Sequence, residues 1–401
     1  MKTLIPQIKN RNVALYYLHS ALHSLWFIEG IWYFYWGEFA DFQSIALIFS
    51  VLNFIWILTE IPSGTFADKY GRKTAIVLGN ALLAVGGFAI IATNHLWFMI
   101  LGALLGTIGR AFVSGSFEAL VYDDLLSKKQ ENDYDKVTSF QVQISIFAYA
   151  IGPIVGGFLF ATYFKAPHLL EALAMTLALV MSSALTEVKH KTEIEVQGNP
   201  NLAGFKQLAQ TGFRPFLIPV VIGLVLFYLY DWGMSKPAMG VNAGLSPQGL
   251  SIVISVISVV IAVVAGLIPK IRRLASDKFL LVMANIFISL GFIIGGMPWG
   301  IITLSSLFMI DIAAIVHTPV TNILVNKHVA SRYRATSLST IQFISRIPFL
   351  FLNFFAGMAI DRNFINQFHV GLGLGVLILT VFIFAPKLIA QHREDRRVPA
   401  L

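Results

Sequence analysis

The sequence predicts an all-α polytopic membrane protein with twelve transmembrane helices in two six-helix pseudo-repeats. Three observations carry that expectation. Hydrophobic residues make up 56% of the 401 residues and charged ones only 12%, where a soluble chain carries about 25% charge. Apolar runs near the ~20 residues a span requires recur twelve times, with one long polar segment after the sixth. The basic residues alternate from loop to loop as the positive-inside rule demands.

In chain order the runs are 13–36, 42–61, 74–93, 96–122, 137–160 and 169–186, then 215–233, 249–269, 279–297, 300–326, 335–360 and 371–386. The expected domains are an N-terminal bundle, 1–186, a linker, 187–214, and a C-terminal bundle, 215–401. Residue identity between the halves is low, so the repeat rests on hydropathy and spacing. Within the linker, Leu202, Phe205, Leu208 and Phe213 alternate with Lys206, Gln207, Gln210 and Arg214. This pattern fits an amphipathic helix on the membrane surface or a disordered connection.

With both termini placed in the cytoplasm, Lys165, Lys236 and Arg362 fall on the outer side and Arg110 and Arg346 inside spans. Every other Lys and Arg falls on the inner side. The asymmetry accounts for the net charge of +8 without a nucleic-acid partner. The polar start, Met1–Asn12, reads as a retained tail, because no small-residue cleavage site precedes the first apolar run. With no cysteine, disulfides and thiolate metal sites are excluded. No cofactor is expected. Short outer loops fit a bacterial inner membrane, with the chain acting as a monomer in the lipid bilayer.

Between the second and third runs lies Gly64-Thr-Phe-Ala-Asp68-Lys-Tyr-Gly71-Arg72-Lys73, which reads as a charged hairpin. Its glycines suit a tight reversal and close helix approach. Asp68 is placed to accept N–H groups at a helix start, where the dipole favours an anion. This stretch resembles the loop 2–3 signature of the major facilitator superfamily, G-x-x-x-D-x-x-G-R-[KR], at every fixed position. Glu60-Ile-Pro62-Ser preceding it extends the resemblance towards a bacterial efflux-like branch. The corresponding stretch of the second half, Gly266-Leu-Ile-Pro-Lys270-Ile-Arg272-Arg273, has Lys270 where the aspartate would stand, so the halves are expected to gate asymmetrically.

Gly152, Pro153, Gly156 and Gly157 in the fifth run are similar to the superfamily's antiporter-associated motif G-x-x-x-G-P-x-x-G-G, with Ala148 at the first glycine. Generic helix packing is the other reading of these small residues. The resemblance also places spans one, four, seven and ten around a central cavity, and each of the four carries a carboxylate. Charges inside spans are costly and usually functional. Asp311, near the middle of span ten, is the leading proton-coupling candidate, with Arg346 as partner; a static ion pair is the alternative. Glu29 lies among aromatic residues, and Trp26 and Phe27 with it make either an aromatic, acidic wall for a lipophilic cation or plain packing. Arg110 resembles the superfamily's fourth-span arginine, although Ser114 occupies the usual glycine position. Glu118 and Tyr122 lie one turn apart. Asp123 is expected either to pair with Arg72 and close an inner gate, or, like Asp124, to be solvated. Asp231 and Lys236 read as a solvated outer pair. His19 and His23 lie one turn apart without further metal ligands.

These features point to a secondary transporter working by alternating access on a small molecule. No G-x-x-x-x-G-K-[ST] is present to make the chain an ATPase. Proton-coupled antiport of a lipophilic or cationic drug-like compound or metabolite is expected, with protons as coupling ion. The alternatives are uptake, or lipid or siderophore transport, on the same scaffold. A non-transporting sensor would gain nothing from the buried charges, and no nucleophile–base set points to an enzyme.

Overall fold

The computed structural model describes residues 5–188, 207–208, 212–330 and 333–395. The expected amphipathic linker helix lies almost entirely outside them. Among the described residues the secondary structure is helical, and eleven helices are long and apolar enough to cross a membrane.

The twelfth span is the first in the chain, and it is missing from that set because it is broken. Helix α1 (Arg11–Ser24) stops after 14 residues, and α2 (Trp32–Gly37) has only six. Residues 25–31 between them are not α-helical, and Trp26 has φ 36°, a left-handed conformation that bulky side chains rarely adopt. The remaining N-terminal helices are α3 (Phe42–Tyr70), α4 (Arg72–Ala92), α5 (Leu96–Val113), α6 (Ser116–Ser127), α7 (Tyr134–Thr162) and α8 (Ala166–Ser183). Span four is α5 and α6 joined at Gly115, whose φ is 73°. At the start of α3, Asp41 accepts the Ser44 N–H at 2.7 Å. That bond holds its carboxyl below the ordinary range, so the cap is intact at neutral pH and is lost as pH falls through the lowered value.

The second half holds α9 (Arg214–Asp231), α10 (Ser235–Asn242), α11 (Pro247–Leu274), α12 (Asp277–Gly295), α13 (Leu304–His328), α14 (Arg334–Asp361) and α15 (Ile365–Asp395). Span seven is therefore broken as well, at residues 232–234, and its second piece α10 carries Lys236. Several helices run past the apolar stretch that marks them. Helix α3 continues nine residues beyond Ile61, because backbone hydrogen bonding does not stop where apolar side chains do. The expected hairpin is accordingly one residue, Gly71, at φ 99°.

The chain forms two compact units, Met1–Glu195 with Ser246–Val260, and Val196–Leu245 with Ile261–Leu401. In the first, α4 packs on α5 and α8, and α1 on α7 and α8. In the second, α12 packs on α13 and α15, and α9 on α14. A buried asparagine recurs in the same place. Asn80 on α4 lies 2.8 Å from His23 Nε2 on span one, and Asn285 on α12 donates to the Pro219 carbonyl on span seven at 3.1 Å. The repeat is thus visible in paired polar ties that overall identity conceals.

The break in span one rests on the glycines of α7. A Cβ at Gly152 would lie 1.1 Å from the Leu25 carbonyl oxygen, and one at Gly156 would lie 1.7 Å from that of Phe27. No side chain fits without moving the backbone of residues 25–27. Gly64, in contrast, has nothing within 4 Å of its would-be Cβ, so it is not a site of close helix approach within its unit. Gly152→Ala should lower the melting temperature of the purified protein, by on the order of 1–3 kcal/mol of stability or more, while Gly64→Ala should leave it within about 0.5 kcal/mol. Thermal unfolding followed by size-exclusion chromatography in detergent reads both; equal effects would refute the seating of span one on α7.

Candidate functional site: buried charges at two broken spans

Each unit gathers ionisable side chains at its broken span. In the first, the break frees backbone groups that a membrane interior leaves without water. The Phe27 N–H donates to Glu171 Oε2 on α8 at 3.2 Å. Arg110 on α5 lies over the Trp26 ring, 4.8 Å from its centroid, and within electrostatic reach of Glu171 and Glu29. Three of the expected residues, Trp26, Glu29 and Arg110, therefore do come together. Glu171 was not foreseen. As the third residue of the run 169–186 it reads as an interfacial end; the available signal was that no other charge occurs within Ala166–Ser183.

Glu118 and Tyr122 stand apart from this group. Both are exposed on α6, beyond the turn at Gly115, and Tyr122 packs edge-on against Tyr134. His19 and His23 stack with ring centroids 4.0 Å apart, and Asn80 lies within hydrogen-bond distance of both rings. Among the described residues, no three His, Cys, Asp or Glu side chains converge on a metal position.

In the second unit Asp311 is buried, at 6% exposure. Its partners differ from the expectation. The Tyr230 hydroxyl lies 2.7 Å from Asp311 Oδ2 and 3.1 Å from the Leu307 carbonyl. It donates to an ionised Asp311, or turns to Leu307 and accepts from a protonated one. The cation nearby is Lys236, with Nζ 3.9 Å from Asp311 Oδ1 and hydrogen-bonded to Asp231. Arg346 instead lies across Trp232 and Tyr228, 4.9 and 5.8 Å from the ring centroids. The reading of Asp231 and Lys236 as a solvated pair is corrected: Lys236 is buried at 6%, because span seven resumes as α10 and carries it inward. The break is capped here too, the Met234 N–H donating to Asn353 Oδ1 on α14 at 3.0 Å.

The Gly71 end of the first unit forms a polar knot. Arg72 pairs with Asp123 and also donates to the Ala119 carbonyl. The anion at the start of α4 is not Asp68, which is exposed. It is Glu187, which accepts the N–H groups of Arg72 at 3.1 Å and Lys73 at 2.8 Å. Asp123 and Asp124 are both buried, which corrects the solvated alternative. Asp124 accepts from Asn10 at 2.6 Å, Asn12 at 2.9 Å and Lys128 at 2.8 Å. In the second unit the polarity is reversed. Asp277, at the start of α12, accepts from Arg272 at 3.0 Å and Lys327 at 2.5 Å.

Comparison with known proteins settles the family. The profile of the Major Facilitator Superfamily matches residues 12–352. The chain belongs to the major facilitator superfamily. Relatives and structural neighbours named as transporters share its sequence or fold. An uncharacterized MFS-type transporter, YxaM of Bacillus subtilis, is 27% identical over 186 residues, 45% of each chain. The quinolone resistance protein NorA of Staphylococcus aureus is 24% identical over 170 residues, 41% of each chain. The matched stretch thus spans less than half the length of these relatives. The nucleoside transporter NupG shares the fold at TM-score 0.77 and 14% identity, covering 94% of this chain and 100% of that one. A peptide transporter of the POT family, in complex with sulfate, does so at 0.76 and 14%, covering 94% of each.

The Arg72–Asp123 pair makes a stability prediction. Asp123→Asn should cost on the order of 3 kcal/mol, since it leaves a largely buried guanidinium without its counter-charge. The double exchange Arg72→Asp with Asp123→Arg should recover part of that loss. Thermal unfolding of the double exchange and of its two single exchanges, Arg72→Asp and Asp123→Arg, reads the coupling; additive losses in the double variant would mean that the two side chains act separately.

Proposed function

We propose that the chain exports a small lipophilic or cationic compound, drug-like or metabolic, by proton antiport. The observation that carries the reading is Asp311, a buried carboxylate whose Tyr230 partner accommodates both protonation states. A carboxylate that alternates between proton and cation is what an exchanger of the two requires. Glu29, with Trp26 and Arg110 beside it, supplies the acidic, aromatic element suited to a cationic amphiphile. The fifth-span glycines belong to the pattern associated with antiporters, and one relative, NorA, is named for quinolone resistance.

In this reading residues 1–186 and 215–401 are the two bodies that alternate access, joined by 187–214. The protein acts as a monomer in a bacterial inner membrane, with both termini cytoplasmic, as the distribution of Lys and Arg requires. The Arg72–Asp123 pair and the Glu187 cap then lie on the cytoplasmic side and hold the loop between spans two and three in one gating state. Asp68, exposed beside Gly71, belongs to the same gating loop.

The test is accumulation of ethidium and related lipophilic cations in efflux-deficient bacteria. Expression should lower accumulation, and both a proton uncoupler and Asp311→Asn should restore it. Asp68→Asn should impair export several-fold while leaving membrane insertion intact. No lowered accumulation for any cation would sink the cationic-export reading; proton-driven uptake of a tested compound would reverse its direction.

A further inference from the structure

The cluster at the span-seven break contains two carboxylates, Asp231 and Asp311, and one ammonium, Lys236. Both carboxylates lie against the same ammonium. Lys236 is not a flexible surface lysine. It is buried at 6% exposure, rooted in α10, hydrogen-bonded to Asp231 and laid over the Tyr230 ring, 4.9 Å from its centroid. Its Nζ stands 3.9 Å from Asp311 Oδ1, close enough for strong attraction yet beyond hydrogen-bond distance. With both carboxylates ionised the three groups carry one net negative charge, which is costly away from water. A proton on Asp311 removes it, and so does a second monovalent cation.

We infer that Lys236 is a tethered counter-ion shared by Asp231 and Asp311, and that the division of its charge between them sets the pH at which Asp311 releases its proton. The inference rests on the reading of Asp311 as the coupling carboxylate, and it adds a positioning residue that acts through Asp311. Among the described residues, the other charged and titratable groups around α13 make contacts of their own. On α14, Arg346 lies on Trp232 and Tyr228. On α12 the charges, Asp277 and Lys278, stand in the first turn, where Asp277 binds Arg272 and Lys327. On α13 itself, His317 lies six residues away, and the hydrogen bond it makes goes to the Pro219 carbonyl.

Opposite consequences follow for the two neighbours. Removing Lys236 takes away the cation, so Asp311 keeps its proton to higher pH. Removing the charge of Asp231 leaves the whole ammonium to Asp311, which then loses its proton at lower pH. A merely structural role would move both variants the same way or not at all.

The experiment is an infrared difference titration of the carboxylic-acid C=O stretch on the full-length protein in lipid, with protons as the only ligand. Asp311→Asn should remove a titrating band and so identify it. Lys236→Gln should raise the midpoint of that band by about one to three pH units, Asp231→Asn should lower it, and Lys236→Arg should leave it near the wild-type value. Shifts of Lys236→Gln and Asp231→Asn in the same direction, or none in either, would overturn the role of Lys236 while leaving Asp311 as the proton site. A titration unchanged by Asp311→Asn would instead remove the coupling carboxylate, and the role of Lys236 with it. If Lys236→Gln fails to fold, Lys236→Met takes its place, and a midpoint that it leaves unmoved or lowers counts against the inference.

Discussion

The constraint on which the rest of the structure depends is that a backbone N–H inside a membrane must find an acceptor. An unbroken helix satisfies it internally, and most spans of this chain are unbroken. Spans one, four and seven are not, and the breaks in one and seven are each met by a side chain from another span: Glu171 takes the Phe27 N–H, and Asn353 takes that of Met234. The breaks lie at corresponding places in the two halves, and the ionisable residues gather at them. A carboxylate or ammonium that would be costly along an intact helix gains partners where the backbone is irregular and polar.

The two breaks are stabilised differently. In the first unit the irregular backbone presses against α7 where Gly152 and Gly156 leave no side chain, so close packing holds it, with Arg110 stacked on Trp26 above. In the second unit Lys236 comes from the resumed helix and lies between two carboxylates. The first arrangement is rigid by contact. The second is held by charge, and an excess negative charge is sensitive to proton binding in a way that packing is not. The two halves thus differ at these breaks despite their shared helix pairing.

Much of this chain was legible without coordinates. Twelve spans and the superfamily loop both follow from composition and short-range pattern. So does the Arg72–Asp123 pair, because a loop cation and a span-end carboxylate on the same membrane face have few other partners. The errors share one cause. An apolar run that ends at Gly233 places Lys236 in water and leaves Arg346 of the next span as partner for Asp311, whereas the resumed helix brings Lys236 to Asp311. Asp68 was given the helix cap that Glu187 occupies, since a capping residue 115 positions along the chain from Arg72 leaves no mark in local spacing.

Hydropathy by itself determined that this protein crosses a membrane and how often, because transfer of an apolar run depends on that run alone. Where the helices break was decided only in the tertiary structure. A break at Leu25–Ile31 is tolerable because α7 offers two glycines and α8 a carboxylate, and the segment itself does not reveal those neighbours. The same holds for the ion clusters. Which carboxylate meets which ammonium depends on the rotation of each helix and on where an interrupted span resumes, and both are set by packing between segments far apart in the chain.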